Sequence, residues 1–462
     1  MFRKLLLLLS VLALFSCKNK EENTVQSTYI RGQIINPTLD YVIFSKGNIV
    51  LDTIPLDENN FFEYSTDKIK AGLHLFSHSE GQVFYIEPGD SLLIHINTID
   101  FDESLAFSGK GGDQNNLLID LYLKNEKENQ NLPKWYSLSS EEFEDKIDSL
   151  KAIKLQSYEE FIANNKVSEN FKDIALSNIE YDYYSKKELY GAANRNTPTR
   201  LSDDFFDYRK NINFNKNELK FYYPYYRFLN RYFENMVCTK YSANEVIDRN
   251  SFDYNYKKIH IIDSVVASDS IRNRLLRYNT IMYLFNAQNE EEETRLFEAY
   301  KKMNTDKKYL NEVEQVYNAS IQLIKGKKIP NVLLVNTENV LNELTNVINA
   351  PTVLFFWRGQ PAIQHRNLHK RASELKAKFP QYDFIGVNTD RHFKKWRDIV
   401  YKSKYDSKFE YQIENLTDAE KKFILRYINY VIVIDKDGII LDGKTNMFNL
   451  DFEDQLQAFL NE

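Results

Sequence analysis

Cysteine is almost missing from this chain of 462 residues, which contains only Cys17 and Cys238. Two cysteines so far apart in sequence cannot form a Cys-x-x-Cys motif, and they allow at most one disulfide. No cysteine follows Cys238. A large hydrophobic core must therefore replace covalent cross-links, which a chain of this size can build.

An excess of positive charge is absent as well. The chain has 60 Lys and Arg against 66 Asp and Glu, for a formal net charge of −6, and this balance argues against nucleic-acid binding. No segment reaches the roughly 18 consecutive apolar residues of a transmembrane helix. Zinc-protease, dinucleotide and nucleophile-elbow motifs are also missing. The glycine-rich stretch Gly109–Gly112 lacks the spacing of a phosphate-binding loop, so we interpret it as a flexible domain junction.

Apolar and aromatic residues are abundant. Apolar residues make up 43% of the chain and aromatic residues 14%, mostly as 31 Tyr and 31 Phe. This composition is typical of a globular protein with large packing surfaces. The length predicts about three domains.

The N-terminus has the layout of an export signal. Arg3 and Lys4 precede the apolar run Leu5–Phe15, and Cys17 follows it closely. The segment resembles a bacterial lipobox, which implies that residues 1–16 are removed and that the new N-terminal cysteine is lipidated. A plain signal peptide with a chance cysteine is the alternative interpretation.

A lipidated Cys17 would hold the protein on a membrane, because two or more acyl chains anchor stably. Cys238 would then be the single thiol, without a disulfide partner. Residues 17–27 are polar and predict a tether. The sequence Lys18–Glu22 resembles the signal that sends Bacteroidota lipoproteins to the cell surface, so we expect the outer membrane of the cell envelope, with surface exposure.

Residues 28–108 contain six or seven short runs of β-branched and aromatic residues, separated by turn signals. They predict a small antiparallel β sandwich or barrel. Phrases such as Phe84–Ser91 resemble the β domain that precedes thioredoxin modules in many Bacteroidota lipoproteins.

Residues 113–325 have helical periodicity and predict an all-α middle domain. The segment Ser139–Glu142 can form a capping box at a helix start. The aromatic run Phe221–Phe233 could stack on sugars or peptides, but packing between helices is the interpretation that we favour. We expect Cys238 to be buried and inert.

Residues 328–462 alternate between strand and helix patterns and predict an α/β domain. The phrases Val353–Trp357, Phe384–Asp390 and Val433–Gly438 make this region resemble the thioredoxin domain of TlpA-like oxidoreductases. The resemblance covers roughly the last 130 residues of the sequence. It implies a thioredoxin fold and a family history of thiol-disulfide exchange.

The two cysteines that such a domain needs are not present. The family places Cys-x-x-Cys at the start of the helix after the tryptophan-bearing strand, where the helix N-terminus lowers the first thiol's pKa. Counting from Trp357, these positions are Pro361 and Gln364. Asn429 stands where the family has a cis-proline. The resemblance therefore implies a redox-inactive domain without a cofactor.

Two histidines lie on the helix that follows. His365 and His369 are four residues apart and can share a helix face. A zinc site needs further ligands, so we expect histidines in solvent beside Arg366 and Lys370 and only a weak metal candidate.

These observations favour a lipid-anchored envelope protein whose thioredoxin-like domain binds or scaffolds a protein partner. The resemblance implies a groove at the position of the lost thiols, lined by Trp357, Gly359, Gln360, Pro361 and Asn429. Two alternatives remain open. One is an oxidoreductase-family protein that acts through Cys238 or a partner, and the other is a surface lipoprotein that captures peptide or glycan.

Overall fold

A computed structural model describes residues 27–47, 49–78, 80–197, 201–202, 204–242, 245–425 and 430–461. Cys17 and Asn429 lie outside these residues, as do the predicted signal segment and nearly all of the tether. The predictions made for them are therefore not addressed by the structure.

Close contacts group the chain into two compact units. One consists of Met1–Pro133 with Ser149–Glu180, and the other of Lys134–Asp148 with Tyr181–Glu462, each within the described residues. The boundaries between the two units fall inside residues 113–325, the segment predicted as a helical domain. The division into three domains by residue number therefore remains a prediction.

The first unit contains a β sandwich of two four-stranded sheets. Its strands are β1 (Thr28–Ile35), β2 (Tyr41–Lys46), β3 (Ile49–Pro55), β4 (Phe61–Thr66), β5 (Gly72–His78), β6 (Glu80–Ile86), β7 (Ser91–Asn97) and β8 (Ala106–Lys110). The sheet orders are β4-β1-β7-β8 and β3-β2-β5-β6. The predicted small antiparallel β domain is confirmed, except that β1 and β7 pair in parallel.

Alternation of apolar and polar residues builds the core of this sandwich. Ile30 and Ile34 of β1 are buried, and they share one cluster with Val42, Phe44 and Phe84 of the second sheet. Burying such a side chain contributes roughly 1.5–3 kcal/mol each. Packing of the two inner faces therefore holds the sheets together.

The glycine-rich stretch is not the flexible junction that we predicted. Gly109 lies in β8 with a positive φ of 83°, and a Cβ there would lie 2.1 Å from the Ser91 carbonyl oxygen. Gly111 also has a positive φ, and Gly112 begins the next helix. The glycines allow a tight strand-to-helix connection, because other residues would be strained or would clash there.

Helices follow the sandwich. They are α1 (Phe101–Ser104), α2 (Gly112–Trp135), α3 (Ser140–Asn164), α4 (Glu169–Ala193), α5 (Tyr223–Cys238), α6 (Phe252–Val265), α7 (Asp269–Asn286), α8 (Glu290–Met303) and α9 (Lys307–Ser320). The predicted helical middle region is confirmed, and Ser139 and Glu142 form the predicted capping box at α3. Among the described helices, none is long and apolar enough to cross a membrane.

The aromatic run Phe221–Phe233 forms part of the helical core. The side chains of Tyr225, Phe228 and Phe233 are completely buried, and Tyr225 packs on Tyr181 with 4.7 Å between ring centroids. This burial supports the packing interpretation, since a stacking platform needs exposed rings.

The C-terminal part of the second unit is a seven-stranded mixed sheet of order β10-β9-β13-β12-β11-β14-β15. Its strands are β9 (Leu333–Asn336), β10 (Leu341–Glu343), β11 (Thr352–Trp357), β12 (Asp383–Asn388), β13 (Glu410–Ile413), β14 (Val431–Ile434) and β15 (Ile440–Thr445). Its helices are α10 (Leu344–Val347), α11 (Ala362–Lys378), α12 (Phe393–Ser403), α13 (Leu416–Ala419) and α14 (Phe452–Asn461). The predicted α/β fold is confirmed, with β10 and β13 as strands that the sequence patterns did not predict.

A buried ion pair joins this sheet to the helical region. Lys444 of β15 is almost fully buried, and its Nζ lies 2.7 Å from Oε1 of Glu293 on α8 and 2.6 Å from the Ser320 hydroxyl. Burial lowers the pKa of Lys444 and raises the pKa of Glu293. Each charge therefore depends on the other for compensation.

We expect Lys444→Met to destabilise the protein by about 3–5 kcal/mol, because it leaves Glu293 buried without its cation. Denaturant unfolding followed by tryptophan fluorescence measures the change. Lys436→Met, at an exposed position of the same domain, serves as the control. The double variant that also carries Glu293→Met should recover part of the loss. Equal unfolding midpoints for Lys444→Met and the control would contradict the assignment.

Candidate functional site

The end of β11 and the start of α11 form the region where the resemblance to thioredoxin domains implies a pair of thiols. All six residues of β11 are buried, so the strand is central in the sheet. Pro361 is the N-cap residue of α11, and its carbonyl accepts a hydrogen bond of 3.1 Å from the Gln364 backbone N–H. The Gln360–Pro361 peptide bond is cis. The two positions predicted for the lost cysteines therefore lie at the helix start.

Hydrogen bonds to two other loops fix the loop between β11 and α11. The Gly359 N–H donates to Asp390 Oδ2 over 2.7 Å, and a Cβ at Gly359 would lie 2.6 Å from Ile399 Cδ1. The Arg358 guanidinium donates to the Leu425 carbonyl. These contacts fix the start of α11 without any disulfide.

The expectation that Trp357 and Gly359 line an open groove is wrong. Trp357 has no exposed surface, and Gly359 is buried beneath the loop. Gln360 and Pro361 are exposed, while Asn429 lies outside the described residues. The accessible surface here therefore consists of the loop tip and the first turn of the helix.

An exposed apolar side chain and a shallow hollow lie at this surface. Ile363, in the first turn of α11, is 64% exposed. A hollow of about 570 Å³ is lined on one side by Gln364 and Leu368 of α11, and on the other by Asn446 and Phe448. Phe448 is 50% exposed. Exposed apolar side chains beside a concavity are typical of protein contact surfaces.

Below this surface, a carboxylate is buried in the domain core. Glu410 on β13 is only 3% exposed. Its Oε2 accepts a hydrogen bond of 3.0 Å from the Trp357 indole N–H, and its Oε1 lies 2.9 Å from His369 Nε2. Burial raises the pKa of Glu410, and the contacts with His369 and Trp357 oppose that change.

Gly386 leaves the space that this carboxylate needs. It lies on β12 opposite Glu410 in the parallel pairing, and a Cβ there would lie 2.5 Å from Oε1 of Glu410. A glycine in a buried strand often marks such a close approach.

His365 and His369 are not in solvent, so that expectation is wrong. His365 is 3% exposed, and the side chain of His369 is 8% exposed. His365 Nδ1 lies 2.7 Å from the Tyr405 hydroxyl, and the His369 ring stacks on Tyr405 at 3.5 Å. Burial is the main cause of the lowered pKa of His365.

The contacts of His369 restrict where its protons lie. Its Nδ1 lies 2.6 Å from the His365 carbonyl oxygen, which can only accept, so Nδ1 carries a proton. Its Nε2 faces Glu410, and one proton between them completes that hydrogen bond. Either an imidazolium faces a carboxylate or two neutral groups face each other. In both cases the pair has no net charge.

These groups do not make a metal site. Within the part of the chain that the structure describes, no group of three His, Cys, Asp or Glu side chains is placed to hold a metal ion. Both ring nitrogens of His369 already have partners in the protein.

Cys238 is a buried free thiol at the end of α5. It is 7% exposed and packs against Val237 and Tyr254. Burial raises its pKa, so the thiolate is less populated than for a free cysteine. The thiol is buried, as expected, and its lack of reactivity stays a prediction.

The sequence analysis did not identify four residues of this site, which are Glu410, Tyr405, Gly386 and Phe448. The one available signal was Gly386 inside an otherwise apolar strand, which indicates close approach by another group. The carboxylate itself gave no signal, because the chain has 66 acidic residues and one of them cannot be singled out.

Comparison with known proteins finds a likeness in the C-terminal region of the chain. Residues 349–440 match the family model described as Thioredoxin-like. No curated protein matches the chain.

Several solved structures resemble the same region. A domain of a possible thiol-disulfide isomerase from Cytophaga hutchinsonii is 24% identical and covers 30% of this chain and 96% of its own, with a TM-score of 0.27. A thiol:disulfide interchange protein from Bacteroides sp. is 16% identical. The match covers 30% of this chain and 93% of the Bacteroides protein, with a TM-score of 0.26. The thioredoxin domain of a thiol-disulfide oxidoreductase from Bacteroides vulgatus is 16% identical. The match covers 30% of this chain and 98% of that domain, with a TM-score of 0.25. Likeness at this level carries no argument about activity. The family match and the α/β topology together identify the C-terminal domain of this chain as thioredoxin-like.

Proposed function

We propose that this protein is a lipid-anchored protein of the cell envelope, whose thioredoxin-like domain is redox-inactive and binds another protein. The observation that carries the proposal is the start of α11. Pro361 and Gln364 occupy the helix start where the family has thiols, and Ile363 beside them is exposed.

Dithiol exchange requires an attacking thiolate and a second thiol that resolves the mixed disulfide. A prolyl ring and a carboxamide can do neither. Cys238 is a poor substitute, because its thiol is buried and its pKa is raised. The domain thus keeps the helix start at which the family has its thiols, but it has no nucleophile there.

The exposed residues support binding instead. Ile363 and Phe448 place apolar surface next to the hollow at Gln364. Burying such groups against a partner contributes about 25 cal/mol per Å² of apolar area. The loop below is fixed by Gly359 and Arg358, so little conformational entropy would be lost on binding.

Anchoring is proposed from the sequence alone. The lipobox-like segment that ends at Cys17 supports lipidation, and Lys18–Glu22 supports the outer membrane and the cell surface. A membrane-bound binding domain of this kind would meet its partners in the envelope.

We expect the full chain not to accelerate the reduction of insulin by dithiothreitol, measured as turbidity. The matched variant carries both Pro361→Cys and Gln364→Cys, which places two thiols at the start of α11. This variant should gain measurable turnover, since the helix N-terminus favours the first thiolate. Turnover by the native chain would contradict redox inactivity.

Cys238 should react with Ellman's reagent at least about tenfold more slowly in the native protein than after unfolding in guanidinium, because it is buried. Cys238→Ser separates its signal from any thiol at Cys17. Equal rates before and after unfolding would favour the alternative in which Cys238 is reactive.

A photo-crosslinking residue at Ile363 should capture a protein in the native envelope, whereas the same residue at Lys436 should not. Lys436 is exposed, and it lies in the turn after β14 at the opposite end of the sheet, as the pairing of Thr352 with Ile434 shows. Phe448→Ser should reduce capture at Ile363. Equal capture at both positions, or no effect of Phe448→Ser, would argue against binding at this surface.

A further inference from the structure

A second concavity lies next to Glu410 and His369. Its volume is about 830 Å³, and it is lined by residues of α11, the end of α12 and the start of β13. Phe355, Phe384 and Phe409 give it apolar walls, and His369 and Glu410 also line it. Pockets for small ligands have volumes of about 300–1,000 Å³ and combine apolar walls with a few polar groups.

The charges around this cavity are unusual for the chain. Five lining side chains are cationic, whereas Asp406 and Glu410 are the acidic ones. The whole chain has a formal net charge of −6, so its average composition does not explain this surplus. The cationic lining residues are Arg366, Lys370, Lys376, Lys402 and Lys404.

Among the residues that the structure describes, most of these cations have no anionic partner. Lys376 is the exception, because its Nζ lies 3.1 Å from Asp383 Oδ1. Arg366, Lys370, Lys402 and Lys404 form no ion pair with a carboxylate in the described ranges.

Helix dipoles account for only part of this arrangement. Lys402 and Lys404 lie at the C-terminal end of α12, where cations are favoured. Arg366 and Lys370 lie beyond the first turn of α11, where the helix dipole has little effect, and both side chains are exposed. Water solvates these two charges, and their positive field remains open to an anion from solution.

The floor of the cavity does not neutralise this positive charge. His369 and Glu410 share one proton and have no net charge as a pair, and Glu410 is also engaged by the Trp357 indole N–H. An unpaired rim of positive charge thus surrounds a neutral floor and apolar walls.

We propose that this cavity binds a small amphipathic organic anion. Its phosphate or carboxylate group would lie at the cationic rim, and its apolar part would pack on Phe355, Phe384 and Phe409. This inference goes beyond the proposed protein-binding function and does not depend on it, because it concerns a different cavity, which shares only Lys370 with the hollow at Gln364, and a different class of ligand.

Calorimetric titration of the full chain with octyl phosphate, octanoate and octanol at low ionic strength tests this proposal. We expect at least one of the two anions to bind about tenfold more tightly than neutral octanol, and added salt to weaken that binding. The difference between the two anions identifies the preferred head group. Binding of octanol as tight as that of both anions, or no binding by either anion, would overturn the proposal.

Two matched double variants locate the binding. Lys370→Gln with Lys402→Gln removes two charges from the rim and should weaken anion binding about tenfold. Lys394→Gln with Lys395→Gln removes two exposed charges from α12 that do not line the cavity, and its affinity should stay within about twofold. Equal losses in both would indicate attraction by general surface charge and would overturn the assignment.

A third variant tests the cavity itself. Ser373 is exposed and lines the cavity, so Ser373→Trp should fill the space and abolish binding while every charge remains. Unchanged near-ultraviolet circular dichroism would show that this variant folds. Anion binding that persists in such a folded variant would contradict the proposed location.

Discussion

The hydrogen bonds of Glu410 hold the thioredoxin-like domain together at its centre. This one carboxylate joins three elements, because it lies on β13, accepts from Trp357 of β11 and faces His369 of α11. Removing a carboxylate from water is costly, and losing one partner of a buried pair costs about 3–5 kcal/mol. Gly386 on the neighbouring strand is required as well, because any side chain there would occupy the space of the carboxylate. The position of α11 is thus set from the interior of the domain.

This internal fixation explains how the domain can keep its shape without thiols. Pro361 and Gln364 lie at the start of α11, whereas the hydrogen bonds of Glu410 come from Trp357 and His369. The loop before them is held by Asp390 and Leu425, again without a thiol. The supporting contacts of this loop and helix therefore do not depend on a thiol at Pro361 or Gln364. The buried pair of Lys444 and Glu293 adds a second constraint, since it fixes the sheet against the helical region.

The sequence predicted the elements that have strong periodicity and missed those that bury polar groups. Strand β11 is a continuous apolar run, and it was predicted correctly. Strand β13 has only four residues, and two of its buried side chains are Glu410 and Gln412, so its pattern is that of a polar loop. His365 and His369 were assigned to solvent because of their charged neighbours. Helical spacing could have corrected this for His365, since it shares a face with the buried Leu368 and Ala372.

Helix α11 connects the two surfaces for which we propose ligands. Gln364 lines the hollow at the helix start, and His369, just over one turn later, lines the cationic cavity. A ligand at one surface changes affinity at the other through Lys370, which lines both, or if the two ligands favour different positions of the helix. The stacked ring of Tyr405 and the carboxylate of Glu410 both hold His369 in place, which opposes such a movement. The rigid core therefore opposes coupling through helix movement and leaves the charge of Lys370 as the direct link between the two surfaces.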